Sequence, residues 1–211
     1  MPKIAVLSGP TFAREVTQDL PSSAVIACND KQTLNLLHDY LHSERFHLYK
    51  STDLIGVQLG GKVKNVIAIS SGICDRMKMG LNARAGLICR GIAEMTRLGI
   101  ALGGQLETFI GMSGIGDLIL TSKSDLSQNY TLGQNLGSGL PLEKCIPSGG
   151  AVAEGVQNAA SINALAECHK IAMLICKAVY GIIFKGTSCV GAMQNLLERD
   201  SPDPESSISY A

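Results

Sequence analysis

The sequence contains no tryptophan, and aromatic residues make up only 4% of its 211 positions, so nucleobases would find few rings to stack on. Neither sign of charge is in excess: 18 Lys plus Arg face 18 Asp plus Glu. That balance leaves no basic field to draw in nucleic acid or an anionic membrane, and any recognition of phosphate must be local. A long hydrophobic run is also missing. The most apolar stretch, 171–184, carries Lys177 and falls short of the roughly 20 residues that span a bilayer. The seven cysteines, at 28, 74, 89, 145, 168, 176 and 189, include no C-x-x-C pair and no zinc-like spacing. Odd in number and scattered, they read as core thiols of a reduced, cytoplasmic protein, with no metal site. Met1-Pro2-Lys3 runs straight into a strand-like segment, without the features of a signal peptide. What is present is 45% apolar composition, enough for one sizeable core, which excludes a disordered chain or a disulfide miniprotein.

The first fifty-odd residues read as alternating short elements. Ile4-Ala5-Val6-Leu7 is a strand closed by Ser8-Gly9-Pro10, and Thr11 is placed to cap a short helix reaching Val16. Ala24-Val25-Ile26-Ala27 makes a second strand. Asp30 caps the next helix, whose buried face is Leu34, Leu37 and Leu41. Residues 46–49 give a third strand and 54–59 a fourth, a small α/β unit with an incomplete sheet. From Gly60 the period becomes 3.6 and stays there, placing a boundary near 57–61. The segment 62–77 is apolar almost all round and should be the central helix. Asn82 is placed to cap the following one, with Leu87, Ile88, Ile92, Met95, Leu98 and Leu102 on its core side and Arg90, Glu94 and Arg97 on a solvated side. Further helices are expected over 105–112, 118–121, 129–136, 153–168, 171–184 and 192–199, followed by a polar, proline-bearing tail at 201–211 that should be disordered.

Within the apolar central helix, Lys64 and the adjacent Asn65 stand out, because an unpaired ammonium there would be expensive. Burial of an ammonium favours its neutral form, which suits a lysine to give and take a proton from a substrate oxygen. The plain alternative is a snorkelling lysine at a helix start. The second feature is Gly111-Met112-Ser113-Gly114-Ile115-Gly116-Asp117-Leu118 with Thr121 beyond it. Its glycines let backbone approach a ligand, and Asp117 could fix a lysine or simply cap a helix. The spacing is not G-x-G-x-x-G and does not follow a strand, so it is no dinucleotide fingerprint. His38 and His42 stand at i, i+4 without an intervening zincin glutamate or a third ligand, and read as exposed helix residues.

Taken in order, Leu7-Ser8-Gly9-Pro10-Thr11-Phe12-Ala13, Gly60-Gly61-Lys62-Val63-Lys64-Asn65-Val66-Ile67-Ala68, Asn82-Ala83-Arg84-Ala85, Gly111 to Thr121 and Glu154-Gly155-Val156 resemble the bacterial NAD(P)-dependent glycerol-3-phosphate dehydrogenases. The resemblance implies a partial Rossmann-type α/β sheet at 1–57, a remnant of a nucleotide-binding domain. It also implies an all-α, multi-helix domain of the 6-phosphogluconate dehydrogenase-like kind at 58–200. The implied activity is reduction of dihydroxyacetone phosphate to sn-glycerol 3-phosphate with NAD or NADP as cofactor, feeding phospholipid synthesis. Lys64 falls on the family's catalytic lysine and Asp117 on the residue that supports it. The substrate would be held by Lys64, Asn65, Asp117, Thr121, Ser127, Gln128, Asn129, Gly9 and Thr11, and the cofactor bordered by Ala13, Gln128, Val152 and Glu154.

Two departures from the family pattern bear on activity. The family has a G-x-G-x-x-G turn well before the equivalent of Leu7, and it is missing from these residues, so the main pyrophosphate seat is missing too. The expectation is a truncated enzyme of little activity alone, with an exposed sheet edge. At Ser127-Gln128-Asn129 the family reads Ser-Arg-Asn, and Gln128 cannot supply a charged bidentate fork. The alternatives are a non-catalytic helical dimerisation or binding module, or a related two-domain hydroxy-acid dehydrogenase. The expected partners are a small-molecule substrate and, by default, a second copy in a two-fold dimer, with no nucleic acid and no membrane span.

Overall fold

Strand β1 (Ala5–Ser8) pairs antiparallel with β2 (Ser22–Cys28), which in turn pairs parallel with β3 (Phe46–Ser51), giving the sheet order β1-β2-β3. The structure, a computed structural model, describes residues 3–145 and 153–198. The central strand is the buried one, through Ala24, Ile26, Ala27 and Cys28. Between β1 and β2 lies the short helix α1 (Ala13–Thr17). Thr11 does not cap it. Phe12 occupies the cap position, and the Thr11 hydroxyl turns back to donate to the Gly9 carbonyl at 3.2 Å. Helix α2 (Lys31–Leu41) is capped by Asp30, whose carboxylate accepts the Thr33 N–H at 2.8 Å. The Thr33 hydroxyl and Lys3 add to that bond, holding the Asp30 carboxyl well below the usual carboxylate range. Leu34 is buried and Leu37 partly so, whereas Leu41 at the helix end is exposed.

The expected fourth strand is instead the beginning of the central helix. Asp53 accepts the Gly56 N–H at 2.8 Å and starts α3 (Leu54–Arg76). A short apolar run fits strand or helix equally well by periodicity, and the cap decides. The division drawn at residues 57/58 therefore falls inside a helix. Helix α3 is the spine: Val63, Val66, Ile67, Ala68, Ile69 and Ile73 are fully buried. Around it lie α4 (Leu81–Ala101), α5 (Leu106–Phe109), a π-helical turn (Met112–Gly116), α6 (Asp117–Thr121), α7 (Gln128–Gly137) and α8 (Leu142–Cys145). Beyond residue 152 come α9 (Glu154–Cys168), α10 (Leu174–Lys185) and α11 (Cys189–Glu198). Helix α8 carried no clear signal in the sequence. The tail at 201–211 lies outside the described residues.

Helix α4 departs from its sequence reading in two ways. Gly80 precedes it at φ 92°, so Asn82 lies inside the helix and is not its cap. The charged ladder is only partly solvated: Arg90 and Arg97 are half-buried, whereas Glu94 is buried and its carboxylate accepts the N–H groups of Ile175 at 2.7 Å and Cys176 at 3.3 Å. These are two of the donors that a helix start leaves without an intrahelical partner, here those of α10. Desolvation still pushes the Glu94 carboxyl pKa up. Arg90 donates to the Leu196 carbonyl and Arg97 to that of Ala172, so the ladder ties α4 to the last two helices.

All seven thiols are free, but only Cys28, Cys74 and Cys176 are core residues; Cys89 and Cys168 are exposed. His38 and His42 are half-buried rather than exposed, their rings stacked at 4.9 Å, with His42 Nδ1 accepting the Leu48 N–H. No helix among the described residues is long and apolar enough to cross a membrane.

Candidate active site

Lys64 lies near the middle of α3, and its ammonium sits 2.6 Å from Asp117 Oδ2. The side chains are 19% and 3% exposed, so the pair is nearly dry yet open on the lysine side. The close approach of two backbones makes this reach possible. A Cβ on Gly60, one helical turn before Lys64, would lie 2.5 Å from the Ser113 carbonyl oxygen in the π-helical turn. Only glycine lets α3 and that turn meet so closely, and the turn delivers Asp117 directly onto the lysine.

Asp117 is the first residue of α6 and does not act as its cap; Gly116 occupies that position. The Thr121 hydroxyl donates to the Asp117 carbonyl at 2.6 Å and lies 3.2 Å from its Oδ1. Burial pushes the Asp117 carboxyl pKa up, while the Lys64 ammonium, the Thr121 hydroxyl and the Gly9 N–H pull it down. A carboxylate this buried depends on its cation. The converse also holds, since the carboxylate fixes where the ammonium points.

A second cluster stands one residue further along α3. Asn65 Nδ2 donates to Glu154 Oε2 at 3.4 Å, and Asn129 Oδ1 accepts the Gly155 N–H at 2.9 Å. Both amides are thereby oriented. Asn65 has its Oδ1 left to accept, and Asn129 its Nδ2 left to donate. Asn129 and Gln128 open α7, where Gln128 is exposed.

Other sequence-derived site residues have their polar groups engaged elsewhere or lie apart from these bonds. The Ser127 hydroxyl faces inward and caps α7 by accepting the Tyr130 N–H. The Thr11 hydroxyl is occupied by the Gly9 carbonyl, and Ala13 is exposed at the start of α1. Val152 lies outside the described residues. Sequence reasoning missed Asp53, which besides capping α3 accepts the Gln105 N–H at 2.8 Å and the Thr108 hydroxyl at 2.6 Å. It clamps the start of α3 to the segment leading into the π-helical turn. An aspartate three residues before Gly56, at the head of an apolar run, was the available signal.

Residues 53–194 match the family model described as NAD-dependent glycerol-3-phosphate dehydrogenase C-terminus, and residues 1–34 match the corresponding N-terminus. The chain belongs to this family. It is 49% identical over 198 residues to glycerol-3-phosphate dehydrogenase [NAD(P)+] of Cupriavidus taiwanensis, covering 94% of this chain and 59% of the relative. It is 50% identical over 204 residues to the enzyme so named from Paucimonas lemoignei, covering 97% of this chain and 61% of that one. The chain thus spans about 60% of the length of these curated relatives. The crystal structure of glycerol-3-phosphate dehydrogenase from Coxiella burnetii superimposes with a TM-score of 0.91 at 42% identity, over 93% of this chain and 61% of that one. The yeast glycerol-3-phosphate dehydrogenase, at 23% identity and a TM-score of 0.79, shares the fold.

The family is named for its dinucleotide, and the described residues fit a border of that group rather than its seat. The link from β1 to α1 contains Pro10, which has no N–H, and a Thr11 hydroxyl already bonded to Gly9, so it cannot cradle a pyrophosphate. Glu154 and Gln128 stand exposed beside the amide cluster.

Proposed function

We propose that this chain carries the proton-transfer and substrate-holding half of a glycerol-3-phosphate dehydrogenase reaction, acting between dihydroxyacetone phosphate and sn-glycerol 3-phosphate. The observation that carries the reading is the nearly dry Lys64–Asp117 pair, seated by glycine contact between α3 and the π-helical turn. Lys64 Nζ donates its proton to the ketone oxygen as the carbonyl becomes an alcohol, and takes it back in the reverse direction. Asp117 holds the ammonium in place beforehand and favours its recharging afterwards, through the part of the lysine that still meets solvent. The hydride is supplied by the family's NAD or NADP, whose main seat these residues do not form.

The substrate's hydroxyl meets Asn65 Oδ1, and its phosphate meets Asn129 Nδ2 and Gln128. Ser127 and Thr121 serve this arrangement from behind, by capping α7 and steadying Asp117. The Gly9 N–H donates to the Asp117 carboxylate and steadies it from the β1 side. A two-part division of the chain belongs to the same proposal, with the helical part beginning where Asp53 caps α3 rather than at residue 58, as does a two-fold dimer in the cytoplasm, whose reducing conditions suit the seven free thiols.

Calorimetric titration of the purified chain with glycerol 3-phosphate, then with NADH and NADPH, tests the reading. Saturable binding of the phosphorylated ligand that Lys64→Ala weakens at least tenfold is the expected result. Heat that is the same for wild type and Lys64→Ala, or no heat from a folded chain, would refute it.

A further inference from the structure

The motif Asn82-Ala83-Arg84-Ala85 was noted in the sequence but has no place in the proton-transfer site. In the structure Arg84 Nη1 donates to Asp75 Oδ2, and the Tyr130 hydroxyl donates to the same oxygen at 2.7 Å. Arg84 and Asp75 are only 16% and 17% exposed, and Tyr130 is 5% exposed. One carboxylate oxygen at the end of α3 thus joins the first turn of α4 to the first turn of α7. Tyr130 is the residue directly after Asn129.

The contact between α3 and α7 explains what such a link would do. A Cβ on Gly72 would lie 2.1 Å from the Tyr130 carbonyl oxygen, and one on Gly133 would lie 2.0 Å from that of Ile69. The two helices therefore touch backbone to backbone where they cross. At the crossing itself backbone meets backbone, and Leu132 and Leu136 of α7 pack into the core beside it through apolar contacts that carry no directional bond to fix one rotation. Tyr130 reaches along α3 to Asp75 and supplies that fixed point, and Arg84 holds the carboxylate still. The opposite anchor of the same turn is the Asn129 amide on the Gly155 N–H.

We infer that Arg84, Asp75 and Tyr130 form a positioning device that sets the rotation of α7 and so aims Asn129 Nδ2 and Gln128 toward the ligand held by Lys64. None of the three touches the reacting atoms; they act through Asn129. The ligand part of this inference rests on the site reading above, whereas the aiming of Asn129 does not.

The decisive variant is Tyr130→Phe, which removes one hydroxyl and leaves the Arg84–Asp75 pair and the ring packing intact, with Arg84→Gln as a second. Amide hydrogen exchange of the wild-type chain and both variants is followed at Gly155, whose N–H bonds to Asn129, and at Gly56, whose N–H bonds to Asp53 at the far end of α3. Exchange at Gly155 should speed up at least tenfold in both variants, with Gly56 unchanged. Equal acceleration at both amides would mean general destabilisation, and no change at Gly155 would mean that Asn129 is aimed without the device; either overturns the inference. In a second arm, glycerol 3-phosphate should bind Tyr130→Phe five- to twentyfold more weakly than wild type, with the dependence on Lys64 retained. If wild type binds no glycerol 3-phosphate, the functional reading fails, and the exchange result still decides whether the device aims Asn129.

Discussion

Replacing Lys64 by methionine leaves Asp117 as a charge with 3% of its side chain in water and no cation beside it. At 2.6 Å the attraction between the two groups is worth about 6 kcal/mol with an effective dielectric near 20. Part of that is already offset by the desolvation of both groups, and losing one partner of a buried pair costs about 3–5 kcal/mol. The lysine keeps 19% exposure, which puts the expected loss at the lower end, about 3 kcal/mol, or roughly 6–12 °C in Tm for a chain of this size. The pH dependence sharpens the test. Burial already raises the Asp117 pKa, and without Lys64 the strongest opposing influence is gone. A carboxyl raised in the folded state adds most to stability when protonated, and that contribution is lost as pH rises through its folded pKa. The Lys64→Met defect should therefore be full at neutral pH and shrink as pH falls toward the ordinary aspartate value. Urea unfolding of wild type, Lys64→Met and Lys64→Met/Asp117→Asn at about pH 7 and about pH 4.5, the second near the acid end of that window, measures this. The double variant should recover more than half of the loss. A loss below about 0.5 kcal/mol, or one that is equal at both pH values, would refute a buried, mutually dependent pair.

The Glu94 carboxyl is likewise raised by burial, so its contribution to wild-type stability should grow as pH falls toward the ordinary glutamate range, and Glu94→Gln should flatten that part of the curve of Tm against pH. Two glycine substitutions should move in opposite directions by urea unfolding. Gly86, exposed on α4 with open space where a Cβ would stand, should yield about 1 kcal/mol of added stability as alanine. Gly72→Ala, which drives a Cβ against the Tyr130 carbonyl, should cost about 1–3 kcal/mol or more. Gln128→Arg supplies a charged donor at an exposed position beside Asn129, and should tighten glycerol 3-phosphate binding roughly ten- to a hundredfold by calorimetry, with no change for glycerol.

The sequence by itself determined the central buried helix, the cap of α2 and the family. The apolar surround of Lys64 marked a central helix, Asp30 marked the start of α2, and the ordered motifs from Leu7 to Val156 pointed to one family. These are local signals, a period of 3.6 or a capping side chain three residues from its donor, and they survive without knowledge of the fold. Tertiary structure decided the rest. Residues 54–59 are as good a strand as a helix turn until Asp53 finds Gly56, Gln105 and Thr108. Glu94 lies on the face of α4 expected to meet water and becomes buried only because the open N–H groups of α10 arrive there. Lys64 and Asp117 stand 53 positions apart; the family resemblance paired them, but composition and periodicity left Asp117 equally able to be a helix cap. That meeting depends on Gly60 lying against the Ser113 carbonyl, a contact between backbones, and composition and periodicity describe side chains.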